Sequence, residues 1–179
     1  PSELALDGLL NASASIAGTP NNPQARGEIR VDNASLNETS IESTKGSFNY
    51  NNSRLDFSAS SLIAQDADPL ILRGSVPYQL PFAQVEPKSD LLELELNVKD
   101  KGLALLDIFS RGELSWIDGA GEIALDISGI LDSKQNIPRK LVAQGIAKID
   151  NATIAAKSLP HNLITNINSQ VFFDLSNIS

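Results

Sequence analysis

Few of the 179 residues carry catalytic chemistry, and their spacing forms no recognisable catalytic set. The single histidine, His161, follows Pro160 in a polar stretch. A histidine that works as a general acid or base needs a positioned nucleophile or carboxylate, and the residues around His161 suggest neither. Cysteine is absent, which excludes thiol nucleophiles, disulfides and Cys-based zinc sites. We therefore predict a chain that is not an enzyme and that uses no cofactor.

Three other patterns resemble ligand or catalytic sites, but each fits a structural role better. Asp66 and Asp68 lack the glycine and the distal glutamate of a calcium loop. Glu93 and Glu95 lie two apart on one strand, whereas catalytic carboxylate pairs converge across a cleft. The Gly-Ala-Gly at 119–121 lacks the third glycine and the Lys-Ser/Thr of a phosphate-binding loop. These patterns predict solvated turns and a polar sheet face, and no metal site.

The charge balance limits the partners that the chain could bind. Lys and Arg total 14 and Asp and Glu total 22, which gives a formal net charge of −8. Proteins that bind the phosphate backbone need clustered basic residues, so we predict no nucleic-acid partner. Hydrophobic residues make up 41% of the chain and aromatic residues 5%. This composition is too apolar for a disordered chain, and it is poor in the large side chains that fill a thick core.

The elements that must position any site are strands, because apolar residues recur at every second position. The segments 92–99 (LELELNVK), 123–128 (IALDIS) and 171–176 (VFFDLS) follow this rule. Successive side chains point to opposite faces of a strand, so each segment has one apolar face and one mostly polar face. The pattern predicts an all-β fold. The same alternation is shorter at 29–31, 48–50 and 55–57.

Helical periodicity occurs at one place. Leu105, Ile108 and Phe109 fall at i, i+3 and i+4, and Asp100 is suited to cap the first turn. The spacing predicts one short helix near residues 101–109.

A proline-rich stretch interrupts the strand pattern. Pro77 and Pro81 flank a Tyr-Gln-Leu tripeptide, and proline cannot donate to a strand ladder. This stretch is therefore predicted to be an edge or an extended crossing segment. What covers the apolar faces stays open from the residues alone, between an ordinary sandwich core and an open apolar groove.

An internal repeat organises the chain. Residues 27–36 (GEIRVDNASL) resemble residues 145–154 (GIAKIDNATI) at an offset of 118, and the same offset places 55–58 (LDFS) on 173–176 (FDLS). Upstream, the Asp-Gly pair ending at Gly8 falls on the pair ending at Gly119 at an offset of 111.

The repeat predicts how the 179 residues are divided. We interpret them as one elongated segment with a complete unit at 1–113 and the first half of a second at 114–179. A repeat interrupted in this way indicates a piece of a longer protein, in which the open edges of the sheet would be paired along the array.

The repeated signature resembles that of the TamB family. Residues 16–27 (IAGTPNNPQARG), followed by Ile29, Val31 and an Asn-Ala pair at 33–34, are similar to its motif of apolar-x-Gly-Thr, a proline-containing loop, Gly-x-apolar-x-apolar and Asn-Ala. Residues 72–82 (LRGSVPYQLPF) look like the cyanobacterial and chloroplast branch of that family.

The resemblance implies a fold and a function. TamB-like proteins contain a long, curled, taco-shaped β-sheet with an apolar concave groove, and they have no catalytic residues to carry over. They are anchored in an inner membrane, reach the outer membrane, and pair with an outer-membrane barrel of the Omp85 type. The resemblance thus implies a bridge-like lipid transfer protein of the periplasm or the chloroplast intermembrane space, anchored outside this segment.

We accordingly expect the apolar strand faces to hold phospholipid acyl chains and to support outer-membrane biogenesis. One alternative is a module that binds outer-membrane β-barrel proteins during translocation and assembly. Another is a closed β-sandwich repeat of a surface protein or adhesin. The residues predicted to line the groove are Phe48, Tyr50, Leu55, Phe57, Leu92, Leu94, Leu96, Val98, Ile123, Leu125, Ile127, Phe173 and Leu175.

Overall fold

The strands form one open antiparallel sheet in which each strand pairs with its neighbours in the sequence. The computed structural model describes residues 6–36, 39–64, 67–105, 113–132, 137–158 and 163–178. The nine strands are hydrogen-bonded in chain order, and the sheet is not closed. The strands are β1 (Leu6–Thr19), β2 (Asn22–Leu36), β3 (Thr39–Asn51), β4 (Arg54–Leu62), β5 (Leu70–Pro77), β6 (Leu91–Lys99), β7 (Leu114–Asp132), β8 (Ile137–Ala156) and β9 (Leu163–Ile178).

This architecture confirms the all-β prediction and is consistent with the expected open, curled sheet. Among the described residues there is no second sheet that packs against the first. The closed β-sandwich alternative is therefore wrong for this part of the chain, because a sandwich buries its apolar strand faces against an opposing sheet.

A helix is present where the sequence predicts one, in a tighter form. It is a 3-10 helix over Asp100–Leu105, and residues 106–109 of the predicted helix lie outside the described residues. Asp100 adopts a φ of 40°, and its Oδ1 accepts a hydrogen bond at 3.0 Å from the backbone N–H of Gly121 in β7. The carboxylate thus joins the helix to the sheet rather than capping an α-helical turn. His161 and Asp66 also lie outside the described residues.

The two hairpins β1–β2 and β7–β8 pair in the same way. Ile16 lies opposite Ala25, and Ile127 lies opposite Ala143, which are the positions reached by the offsets of 111 and 118. The same offsets relate nine further pairs of one hairpin to those of the other. Among them, Asp7 opposite Ser35 corresponds to Asp118 opposite Thr153, and a register shift follows each of these two pairs. The boundaries of the repeat units, at 113 and 114, stay a prediction.

One part of the repeat alignment is wrong. The sequence places 173–176 on 55–58, which belong to β4. In the sheet, Phe173 lies opposite Gly145 as Phe48 lies opposite Gly27. Strand β9 therefore takes the place of β3. Strands β3 and β4 both alternate apolar and polar residues, but the apolar-Asp-apolar-Ser pattern of 173–176 is found in β4, at 55–58. This short match selected β4, although β3 is the strand that corresponds to β9 in the sheet.

Candidate functional site

All thirteen residues predicted to line a groove lie on one face of the sheet. The register shows this directly, because residues opposite each other in adjacent strands share a face. Phe48 is opposite Phe57, Leu94 is opposite Ile127, and Leu125 and Phe173 are both opposite Gly145. The remaining predicted residues are at even spacing from these on the same strands. The structure thus brings together side chains that are up to 127 residues apart in the chain.

Two adjacent rows on this face contain no polar side chain across all nine strands. We call them together the apolar strip. The first row contains Ala14, Gly27, Phe48, Phe57, Gly74, Leu94, Ile127, Ala143 and Leu175. The second row contains Ala12, Ile29, Gly46, Ala59, Leu72, Leu96, Leu125, Gly145 and Phe173. Most of these residues are half-buried and several at the outer strands are exposed, so the strip faces outward instead of filling a closed core.

Aromatic rings in the strip lie over glycines of the neighbouring strands. A Cβ atom added to Gly27 would lie 2.5 Å from Cε1 of Phe48, and one added to Gly74 would clash with the ring of Phe57 and with Leu94. A large side chain therefore fills the space that its neighbour leaves empty. The rings of Phe48 and Phe57 thus occupy the surface next to Gly27 and Gly74, and the strip has no empty space at these two glycines.

A segment without strand structure covers one end of the apolar face. Residues 78–90, which we call the strap, connect β5 to β6. The strap is held by the hairpin turns: the Gln84 N–H donates to the Asn21 carbonyl at 2.8 Å, and the Tyr78 N–H donates to the Ser53 carbonyl at 2.9 Å. The Leu80 N–H also donates to Tyr50 Oη at 3.4 Å, and Tyr50 is buried beneath. This confirms the predicted extended crossing segment and explains why Tyr50 is not on the open strip.

The 3-10 helix covers the opposite end of the same face. Leu103 is 1% exposed and belongs to the buried cluster that contains Leu70 and Val98, against which Trp116 and Ile123 pack. Val98 and Ile123 therefore belong to a small core rather than to an open surface, and the strip residues Leu72 and Leu96 also pack against this core. The strap and the helix thus cover the two ends of the apolar face, and the apolar strip lies between them.

One attachment of the strap is a hydrogen bond from a buried side chain, which a single substitution removes. Ser53 is 1% exposed, and its hydroxyl donates a hydrogen bond to the Val85 carbonyl. In Ser53→Ala the carbonyl loses this partner, at a cost of about 1–3 kcal/mol. We expect trypsin to cleave after the exposed Lys88 about 5 to 150 times faster, which corresponds to the loss of about 1–3 kcal/mol. Ser60→Ala, on the other face, should leave the rate unchanged, and equal acceleration by both would contradict the attachment.

The other face of the sheet is polar and carries cross-strand ion pairs. Arg73 Nη1 lies 3.3 Å from Glu95 Oε2, and Lys99 Nζ lies 3.1 Å from Glu122 Oε1. The pKa of Lys99 is raised, mainly by the hydrogen bond that it donates to Glu122 and to a smaller extent by the negative charge of that carboxylate. These pairs are exposed, so each contributes little to stability.

Two shallow depressions lie on the polar face. One, of about 770 Å³, is lined by side chains of β1–β5 such as Arg30, Lys45, Ser47 and Ser58. The second, of about 540 Å³, includes Arg73, Glu93, Glu95 and Asp126. Their linings mix these polar side chains with members of the apolar strip, among them Ile29 and Ala59 in the first and Phe57 and Leu94 in the second, so the depressions do not separate polar from apolar ligands.

The predicted lining omitted Ile29 and the members of the strip that are small or lie in β5. Leu72 and Gly74 alternate with polar Arg73 and Ser75, but Ile71 on the polar side hides the pattern. Alanine and glycine give little periodic signal because they occur on either face. A search for rows that stay free of polar side chains, rather than for large apolar residues, would have found them.

Comparison with known proteins yields no relative: no family model, curated protein or solved structure matches the chain. In the ranges that the structure describes, no helix is long and apolar enough to cross a membrane. Within the same ranges, no group of three or more His, Cys, Asp or Glu side chains is arranged to hold a metal ion.

Proposed function

We propose that the chain is a segment of a lipid conduit whose apolar strip holds phospholipid acyl chains while the headgroups stay in water. The observation that supports this is the pair of rows with no polar side chain across nine strands. In a β-sandwich a face of this kind would pack against a second sheet and form the core. Here most of its residues are half-buried, and no second sheet lies opposite it among the described residues.

The dimensions of the strip suit a path that runs across the strands. Nine strands at about 4.8 Å spacing give roughly 38 Å between β1 and β9. Each methylene moved from water to an apolar surface gains about 0.8 kcal/mol when fully buried, and contact on one side gives part of that gain. Because the strip offers no polar group to anchor the ligand, an acyl chain would be retained and still slide.

The cellular part of the proposal derives from the TamB resemblance. The parent protein would be anchored in an inner membrane outside this segment and would work with an Omp85-type barrel in the outer membrane. The segment itself would lie in the periplasm or the chloroplast intermembrane space and conduct phospholipids between the two membranes, in support of outer-membrane biogenesis.

A phospholipid with a photoreactive diazirine near the end of one acyl chain tests the proposal directly. The purified chain is mixed with vesicles that contain this lipid, irradiated, and mapped by peptide mass spectrometry. We expect labelled residues on the apolar strip, such as Leu94 and Leu125, and not on adjacent polar-face positions, such as Glu95 and Asp126. Labelling without preference for a face, or none, would overturn the proposal.

A matched pair of variants tests the same point by charge. Leu125→Arg puts an unpaired charge on the strip, which costs several kcal/mol when it is covered by an acyl chain, so we expect lipid labelling to fall about tenfold or more. Asp126→Arg places arginine on the polar face opposite Glu95 and should leave labelling unchanged. If unfolded β-barrel protein replaces lipid on the strip in the unsubstituted chain, the barrel-binding alternative is the better description.

A further inference from the structure

Strand β1 is an outer strand of the sheet, and the usual protection of an edge is limited to its start, where Asp7 and the register shift between Asp7 and Leu9 lie. Leu9, Leu10 and Ile16 are 64%, 62% and 84% exposed. The fourteen residues of β1 contain no lysine, arginine or proline, and these are the residues with which native sheets prevent edge-to-edge pairing. From Leu9 to Thr19 the edge is long, uncharged and partly apolar, and an edge of this kind is a template for another strand.

The structure contains a second version of this edge, and that one is covered. Strand β7 pairs with β8 as β1 pairs with β2, at the offsets of 111 and 118 described above. On its other side β7 pairs with β6, and Leu94 lies opposite Ile127. The inner environments of Ile16 and Ile127 match, since each faces an alanine, and they differ on the outer side.

The exposures of the two isoleucines show what the covering strand does. Ile127, with β6 beside it, is half-buried, whereas Ile16 is 84% exposed. A leucine opposite Ile16 would therefore bury apolar surface that has no cover in the described part of the chain, and the stabilisation would follow the buried area.

We propose that the outer edge of β1 accepts an extended polypeptide strand in antiparallel pairing, and that this strand alternates aliphatic and acidic residues as β6 does. In the register of β6 on β7, aliphatic side chains of the partner lie opposite Ile16, Ala14 and Ala12. Backbone hydrogen bonds supply affinity in this mode of recognition, and the alternating side chains supply specificity.

The charges favour an acidic partner at β1 even more than at β7. On the polar face of β7, Asp126 lies opposite Glu95, which places like charges together. The equivalent residue of β1 is Ser15, which is uncharged, and its neighbour on β2 is Arg26. Among the described residues Arg26 makes no ion pair. A glutamate opposite Ser15 therefore meets no like charge and lies one strand away from a free cation.

The inference does not rest on the lipid proposal. Strand addition uses the backbone edge of β1, whereas acyl chains would use the side chains of the strip. The two proposals are compatible, since an added aliphatic row would lengthen the strip by one strand.

The absence of cysteine allows the register to be measured. The probe is a peptide with the sequence of residues 91–99 in which the residue corresponding to Leu96 is cysteine (LLELECNVK). It is incubated in a glutathione redox buffer with full-chain variants that carry one cysteine each: Ala12→Cys, Ser13→Cys, Ala14→Cys, Ser15→Cys and Ile16→Cys. Oxidised glutathione accepts the electrons of the two thiols, and a disulfide persists only where the Cα atoms are within about 7 Å.

We expect the peptide disulfide to form at least five times more with Ala14→Cys than with Ser13→Cys or Ser15→Cys, which point to the other face. Ala14 is the counterpart of Leu125, which lies opposite Leu96 in the β6–β7 pair. A cysteine at Ala59 is the control, because its strand β4 is paired on both sides, and it should react no more than Ser13→Cys. No disulfide at any position, equal yields at all five, or a preferred reaction at Ala59 would overturn the proposal.

Discussion

Replacing Leu103 by alanine is expected to lower the free energy of unfolding by about 2–5 kcal/mol, the range for a leucine removed from a core that does not collapse around the cavity. Leu103 is 1% exposed, the most buried leucine of the cluster that joins the 3-10 helix to the sheet. Its Cδ1 also lies over Gly121, where an added Cβ would approach it to 2.6 Å. The side chain therefore holds the helix against both the cluster and the β7 backbone.

Urea denaturation followed by circular dichroism measures this effect through the shift in midpoint at an unchanged slope. Leu91→Ala is the control, because Leu91 lies on the polar face of β6 and is 42% exposed. A substitution at such a surface site changes stability by about 0.5 kcal/mol or less. If both variants shift the midpoint equally, the helix does not depend on Leu103 for its attachment.

The sheet face could be predicted because alternation is a local property of the chain. In 92–99 every aliphatic residue is separated from the next by a polar one, and a strand converts that order directly into two faces. The register then follows wherever one face must be buried. The predicted site residues thus share a face even though the sequence gives no distances between them.

What covers the face could not be predicted, since it depends on contacts between distant segments. Tyr50 and Leu92 have the same sequence pattern as Leu94, yet both are buried and Leu94 is only half-buried. The strap accounts for Tyr50, through hydrogen bonds between its backbone and two hairpin turns. No periodic signal marks such a segment, because its side chains follow neither strand nor helix spacing.

Two asparagines also change which residues are buried. Strict alternation places Ala34 with Asp32 on the polar face, but Asn33 has a φ of 50° and Ala34 is 3% exposed. Asparagine enters this left-handed region more readily than other non-glycine residues. Asn151 and Ala152 repeat the arrangement, with a φ of 49° and an exposure of 0%. The repeated Asp-Asn-Ala motif therefore marks a kink that turns an alanine inward.

A glycine lies against each of these two alanines, and replacing the one that contacts Ala152 is expected to have the second large effect on stability. Gly119 has a φ of 110°, and an added Cβ would lie 2.5 Å from the Cα of Ala152. In Gly119→Ala the backbone conformation costs about 1–2 kcal/mol. The collision with backbone that is already packed adds about 1–3 kcal/mol. We expect a loss of about 2–5 kcal/mol in the free energy of unfolding, measured by urea denaturation.

The same substitution at two other glycines separates strain from a general loss of glycine flexibility. At Gly8, the counterpart in β1, the added Cβ would lie 3.0 Å from the Cα of Ala34, so the loss should be smaller than at Gly119. At Gly46 the nearest atom is 3.6 Å away, and alanine there should be neutral or stabilising by up to about 1 kcal/mol. The order Gly119, Gly8, Gly46 in decreasing destabilisation follows from these contacts. A uniform loss at all three would show that the close approach of glycine to alanine does not hold the hairpins.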